Sequence, residues 1–211
     1  MNKKVISIFL VIFVVFFLSF IIIKERKTNN NADFLKFREY KEKSAVRKTE
    51  SADLDGDSKR EEYILERGIL AISEESKNIW QSPNDWWIDD FILTDSTNDG
   101  IIDINLSVWK VGNFGSSKPF WVKENDLSIK NHFFILDFQN GEIKTIWGSS
   151  NLEVPNCKIE IFDADEDSKN ELVVAEGNYS DFPDCKSYYK AFWGWNDWGF
   201  SNEWRGEKGK I

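Results

Sequence analysis

A nine-residue acidic pattern that occurs three times constrains this chain more than anything else in it. The first copy is Asp53-Leu54-Asp55-Gly56-Asp57-Ser58-Lys59-Arg60-Glu61. The third is Asp163-Ala164-Asp165-Glu166-Asp167-Ser168-Lys169-Asn170-Glu171. A degraded copy, Asp95-Ser96-Thr97-Asn98-Asp99-Gly100-Ile101-Ile102-Asp103, lies between them. All three carry an acid at positions 1, 5 and 9, and the first and third add one at position 3. Each runs into apolar residues: Tyr63-Ile64-Leu65, Ile104-Asn105-Leu106 and Leu172-Val173-Val174. Self-similarity of this kind marks a repeat architecture, and the apolar runs read as strands.

Carboxylates at alternate positions of a tight loop repel unless a cation sits where they converge. A hard cation with oxygen ligands removes that repulsion, and Ca²⁺ takes six to eight of them in a flexible cage. Position 7 would then offer its backbone carbonyl, which suits Lys59, Ile101 or Lys169 equally. Gly56 and Gly100 help the loop turn sharply. An EF-hand is excluded, because that loop needs a bidentate Glu at position 12. Here position 12 is Ile64, Leu106 or Val174.

Asp-x-Asp-Gly-Asp followed by an acid and a β run resembles the FG-GAP or VCBS-type repeat of integrin-α-like β-propellers. The resemblance spans roughly residues 45–205 and implies four-stranded blades, each with a Ca²⁺ loop in its first hairpin. By position, the implied ligands are Asp53, Asp55, Asp57 and Glu61; Asp95, Asp99 and Asp103; and Asp163, Asp165, Asp167 and Glu171. The chain departs from the family pattern at several places. Position 9 is usually Asp, but Glu61 and Glu171 are longer; Thr97 replaces an acid; Ser58 and Ser168 stand where Gly is common.

The fold class expected is all-β, with propeller-like blades behind an N-terminal transmembrane helix. Three units are recognisable, and closed propellers usually have four or more blades. Either a fourth, loopless blade is assembled from Phe200–Ile211 and the segment before Asp53, or the array is open. Gln139-Asn140-Gly141 between apolar runs signals a hairpin. Trp80, Trp147 and Trp193 fall at like points of the three units, each ending an inner hairpin, as packing between blades would need.

Val5–Ile23 is an apolar run broken only by Ser7 and Ser19. As a helix it would span about 28 Å, close to the hydrocarbon thickness of a bilayer. It lacks the small-x-small cleavage site of a signal peptide. Residues 1–27 therefore read as a membrane anchor, 28–50 as a stalk or linker, and 51–211 as the repeat domain. Phe34, Leu35, Phe37 and Tyr40 could line a short helix within the stalk, or the stalk could be solvated throughout. Lys3 and Lys4, and the sense of a calcium-loop domain facing millimolar calcium, favour an N-in, C-out single pass.

The formal charge is −9. The acids are concentrated in the three loops, so the charge need not mark an acidic binding face. The chain shows no basic stripe that would suit a nucleic acid. Cys157 and Cys185, 28 residues apart, flank the third loop and should form a disulfide outside the cytoplasm. His132 is the only histidine, so no His-based metal cluster or triad is available, and a structural role is expected for it. Ten Trp supply core and also stacking faces. Candidate ligand-binding residues are Phe114 and Trp121 in the long insertion Gly112–Asp126, with Trp86 and Trp195. The run Trp193-Gly194-Trp195-Asn196-Asp197-Trp198 could stack sugars. Asn105-Leu106-Ser107 and Asn178-Tyr179-Ser180 fit the glycosylation pattern.

The expected function is therefore a Ca²⁺-binding module that binds or scaffolds at the cell surface, with a glycan or another surface protein as partner, and without catalysis. The alternatives are a glycosidase-like carbohydrate-active enzyme and the ectodomain of a sensor complex.

Overall fold

The computed structural model describes residues 32–112, 126–139 and 141–209. The run Val5–Ile23, Phe114 and Trp121 lie outside these residues. No helix among the described residues is long and apolar enough to cross a membrane.

The protein is mostly β, in three four-stranded antiparallel sheets. The first holds β1 (Lys48–Ala52), β2 (Glu61–Glu66), β3 (Ile69–Glu74) and β4 (Lys77–Gln81). The second holds β5 (Trp86–Thr94), β6 (Asp103–Val111), β7 (Ile129–Gln139) and β8 (Glu142–Gly148). The third holds β9 (Asn156–Phe162), β10 (Glu171–Glu176), β11 (Tyr189–Trp195) and β12 (Phe200–Arg205). In every sheet the strands neighbour one another in chain order. Each acid loop joins the first strand of a sheet to the second.

The hairpin turns follow from their sequences. Arg67-Gly68 and Glu75-Ser76 all have positive φ, which gives two-residue turns whose twist matches the strands they join. Gly68 has a second constraint, because a Cβ there would meet the Trp87 ring at 2.3 Å. Glu142 pairs with Gln139, so β7 and β8 form the expected hairpin.

The second sheet is the middle of the array. Its β5 lies against β2 and β3 on one side and β9 on the other. Strands β6 and β7 together show how this sheet serves both neighbours, since side chains alternate across a sheet. Ile104, Leu106 and Val108 join Tyr63, Leu65, Leu70 and Ile72 in the core shared with the first sheet. The core shared with the third sheet takes Phe133 and Ile135 of β7, with Ile159, Leu172, Val174 and Ala191. Strand β6 is buried on both faces, down to Asn105, Ser107 and Lys110.

Residues 32–42 form a helix, α1, inside the segment expected to be a stalk. Phe34 and Phe37, three apart on one helical face, are buried against Trp87 and Trp109. Asp89 locks the contact. It sits at a register shift in β5 between Ile88 and Asp90 and accepts from the indole N–H groups of Trp87 at 3.0 Å and Trp109 at 2.6 Å. Its other partner is Lys41 of α1, at 2.8 Å. Strand β1 also begins inside the expected stalk, at Lys48. The solvated-stalk reading fails in α1, because Phe34 and Phe37 find apolar partners far along the chain, while residues 43–47 between α1 and β1 are exposed.

Two further expectations are corrected. The end segments do not make a fourth sheet, since Lys48–Ala52 already completes the first and Phe200–Arg205 the third. The three tryptophans are not equivalent by strand. Trp80 and Trp147 lie on the fourth strands of their sheets and Trp193 on the third strand of its own. All three nonetheless pack against the cores between sheets.

Candidate metal centre

The three acid loops share one backbone. Position 4 has positive φ in each, at Gly56, Asn98 and Glu166, and so does position 6, at Ser58, Gly100 and Ser168. Two left-handed residues one apart curl the loop tightly. Only three of the six are the glycine or asparagine that adopts this conformation readily.

The first acid of each loop holds that curl from inside. Asp53 accepts from the N–H groups of Gly56 at 2.8 Å and Ser58 at 3.0 Å. Asp95 does the same for Asp99 at 3.2 Å and Gly100 at 2.8 Å. Asp163 does so for Asp167 at 3.1 Å and Ser168 at 2.9 Å. The fifth residue caps the seventh: Asp57 to Lys59, Asp99 to Ile101 and Asp167 to Lys169, each at 2.8 Å. The ninth reaches back to the second: Glu61 accepts from Leu54 at 3.0 Å, Asp103 from Ser96 at 2.9 Å, and Glu171 from Ala164 at 2.7 Å.

The loops differ in where the carboxylates finish. Among the described residues, Asp53, Asp55, Asp57 and Glu61 bring one oxygen each within 4.8 Å of one another, as do Asp163, Asp165 and Glu171. Asp167 is outside the second group, and Asp95, Asp99 and Asp103 form no such group. Glu61 is fully buried. Its Oε2 accepts from the Leu54 N–H and the Tyr63 hydroxyl. Its Oε1 has no hydrogen-bond partner.

Burial is the largest cause acting on Glu61 and raises its carboxyl above the ordinary value; the Asp55 and Asp53 charges push the same way, against the Leu54 and Tyr63 hydrogen bonds. The carboxyl of Glu171 is raised for the same first reason, with Asp165 and Asp167 adding to it. Asp103 is also raised by burial, but Ser96 and Thr97 oppose this with three hydrogen bonds. A buried acid with an unused oxygen beside other carboxylates is the donor set of a hard, oxygen-preferring cation.

The second and third loops are stitched together. Asn98 and Asn170 exchange hydrogen bonds, Nδ2 to the Asn170 carbonyl at 3.2 Å and the Asn170 N–H to Oδ1 at 2.7 Å. Asn170 Nδ2 also donates to the Asp95 carbonyl at 2.7 Å. These two loops therefore lie at the same end of neighbouring sheets. No periodicity in the sequence pointed to this contact.

The remaining candidates fall elsewhere. Cys157 and Cys185 form the expected disulfide. Trp86 is half-buried with its ring 4.8 Å from that of Phe134. Trp195 is half-buried between Trp147 and Phe200. The exposed indole of that run is Trp198, at 81 % exposure. Asn105 is fully buried, so its glycosylation triplet is closed; Asn178 is exposed but caps a 3-10 turn. His132 is buried, touches the Ser149 carbonyl through Nδ1 at 3.2 Å, and burial pushes its pKa down to about 4.

No family model matches the chain, and no curated protein or solved structure is significantly similar to it.

Proposed function

We propose that this chain is a membrane-anchored, extracytoplasmic binding or scaffolding module built from propeller-like repeats that calcium stabilises. The observation that carries the calcium reading is the buried, partnerless Oε1 of Glu61 among the converging carboxylates of Asp53, Asp55 and Asp57. Leaving a buried acceptor unsatisfied is costly, and a cation in contact with it would remove that cost. The first site would be held by those four acids and the Lys59 carbonyl. The third loop would offer Asp163, Asp165 and Glu171, with Asp167 beside them. The propeller reading is supported by three sheets of identical strand order, each with its acid loop in the same hairpin, and by the joined second and third loops. The anchor reading is supported by the length and composition of Val5–Ile23.

Calcium serves here as a structural tie, and its direct test is calorimetric titration of the full-length protein after EDTA treatment. Two sites of extracellular-type affinity, near 10⁻⁴ M, are expected, with Asp55→Ala removing one and Asp165→Ala the other. A flat titration would remove the calcium reading and leave the fold untouched. The anchor is tested separately. Deleting residues 1–27 should give a soluble domain with an unchanged far-UV spectrum.

A further inference from the structure

Between the second and third sheets lies a cleft of about 450 Å³, a volume within the range that holds small molecules. Its aromatic lining comes from both sheets, as Phe133 and Trp147 on one side and Trp193 and Phe200 on the other. The cleft also contains Glu176 and Arg205, which aromatic packing does not require. Glu176 projects from β10, the second strand of its sheet, and is 2 % exposed. Arg205 Nε stands 2.7 Å from Glu176 Oε2, and Trp193 also hydrogen-bonds the Glu176 carboxylate. Arg205 is further held by the Tyr189 ring, 4.4 Å below its guanidinium carbon. A guanidinium that spends its Nε on a buried carboxylate and is itself 43 % exposed can turn its remaining N–H groups to a polar ligand in the aromatic cleft.

The two charged groups narrow the ligand. An ionised carboxylate only accepts hydrogen bonds and a guanidinium only donates them. A ligand that satisfies both at adjacent points must itself donate and accept, which vicinal hydroxyls do. A ligand of net charge would be repelled by one member of the pair. The aromatic walls of the cleft, Trp147 and Trp193 among them, complement the C–H groups of a saturated ring. We propose that this cleft binds a neutral pyranose, its hydroxyls on Glu176 and Arg205 and its ring against the aromatic walls. The proposal gives the binding module of the preceding section a ligand class, and it does not depend on calcium.

The test is titration of the full-length protein, in a detergent without a sugar headgroup, with the methyl glycosides of glucose, galactose, mannose and N-acetylglucosamine, and with glucuronate as the charged comparison. Binding is followed by indole emission and by saturation-transfer NMR. At least one glycoside should bind saturably. Arg205→Met and Glu176→Gln should each weaken it about tenfold, the worth of a hydrogen bond to a charged group. Trp198→Ala should leave it unchanged. Arg205 is partly exposed, so its variant keeps the test valid where Glu176→Gln fails to fold. The proposal is overturned by three results: no saturable response to any of the four, a response that survives both charge variants, or a response to glucuronate alone. Loss of the calcium reading would appear elsewhere, as identical melting curves in EDTA and calcium with the sugar titration intact.

Discussion

The first and middle acid loops share a backbone and part company at their last residue. Both turn through left-handed residues at positions 4 and 6, and both are held by their first aspartate. In the first loop Glu61 leaves Oε1 bare. In the middle loop Asp103, one methylene shorter, commits Oδ2 to the Ser96 N–H, the Ser96 hydroxyl and the Thr97 N–H. One oxygen of the ninth residue carries the bracing bonds in both loops, but only in the first is the other oxygen buried without a partner. Acid spacing alone does not bring the carboxylates of a loop together: those of the first loop converge within 4.8 Å and those of the middle loop form no such group among the described residues.

The largest effect that can probe this comparison comes from the third loop, which resembles the first but sits inside the ring closed by Cys157–Cys185. Reducing that bridge should cost roughly 3–4 kcal/mol on the chain-entropy view, read as a fall in Tm. It should weaken the third loop's calcium response and spare the first loop's. Equal weakening of both would mean that the loops do not differ in their dependence on the ring.

Calcium comes next. Saturation by RT ln(1 + [Ca²⁺]/Kd) predicts roughly 1.4 kcal/mol per site at about 1 mM calcium and an affinity near 10⁻⁴ M. Two sites give about 3 kcal/mol, a shift of several degrees in Tm. Asp55→Ala should halve it and Asp99→Ala should leave it whole. A melt of the three proteins in EDTA and in calcium decides this, and an Asp99→Ala loss as large as that of Asp55→Ala would erase the distinction between the loops.

Single substitutions at position 9 should have opposite consequences. Asp103→Ala strands the N–H groups of Ser96 and Thr97 and should cost about 1–3 kcal/mol with or without calcium. Glu61→Gln removes a buried charge, so it should raise the stability of the calcium-free protein while abolishing the first site. The pH dependence carries the same sign. The Glu61 carboxyl is raised in the folded state, so the calcium-free protein binds that proton more readily than the unfolded chain does. Its stability should therefore increase as pH falls from the raised value toward the ordinary one. Glu61→Gln should flatten that increment in denaturant titrations across the acid range.

The smallest effect concerns the stitch. Asn98→Ala removes two exposed hydrogen bonds between the middle and third loops and should cost no more than about 1 kcal/mol. Its informative readout is calcium affinity. A weaker third site with an unchanged first site would give the middle loop a bracing role in place of a binding one.

Much of this was legible in the chain. The acids at positions 1, 5 and 9 and the apolar runs behind them located three hairpins and the strands that follow. Two cysteines flanking one loop located the bridge. What the sequence hid were features set by partners far away. Phe34 and Phe37 show helical spacing, but nothing near them announces Trp87 and Trp109 as the surface they cover. Glu166 and Ser168 adopt left-handed backbone without the glycine that usually signals it, because Asp163 and Asp165 accept hydrogen bonds from the N–H groups around them. Asp89 reads as one more polar residue in a strand, and its role arises from a register shift. The two tryptophans singled out within the described residues, Trp86 and Trp195, are half-buried among aromatic neighbours. The polar pair in the inter-sheet cleft is split between β10 and β12 and leaves no local pattern to find.

The docked helix α1 has a mechanical consequence. Phe34 and Phe37 on Trp87 and Trp109, with Lys41 on Asp89, fasten the helix to the second sheet, the middle of the array. A pull on the chain ahead of residue 32 would therefore load the body itself before it peeled a single strand from an edge. Severing the Lys41–Asp89 latch should lower the force at which the helix comes away.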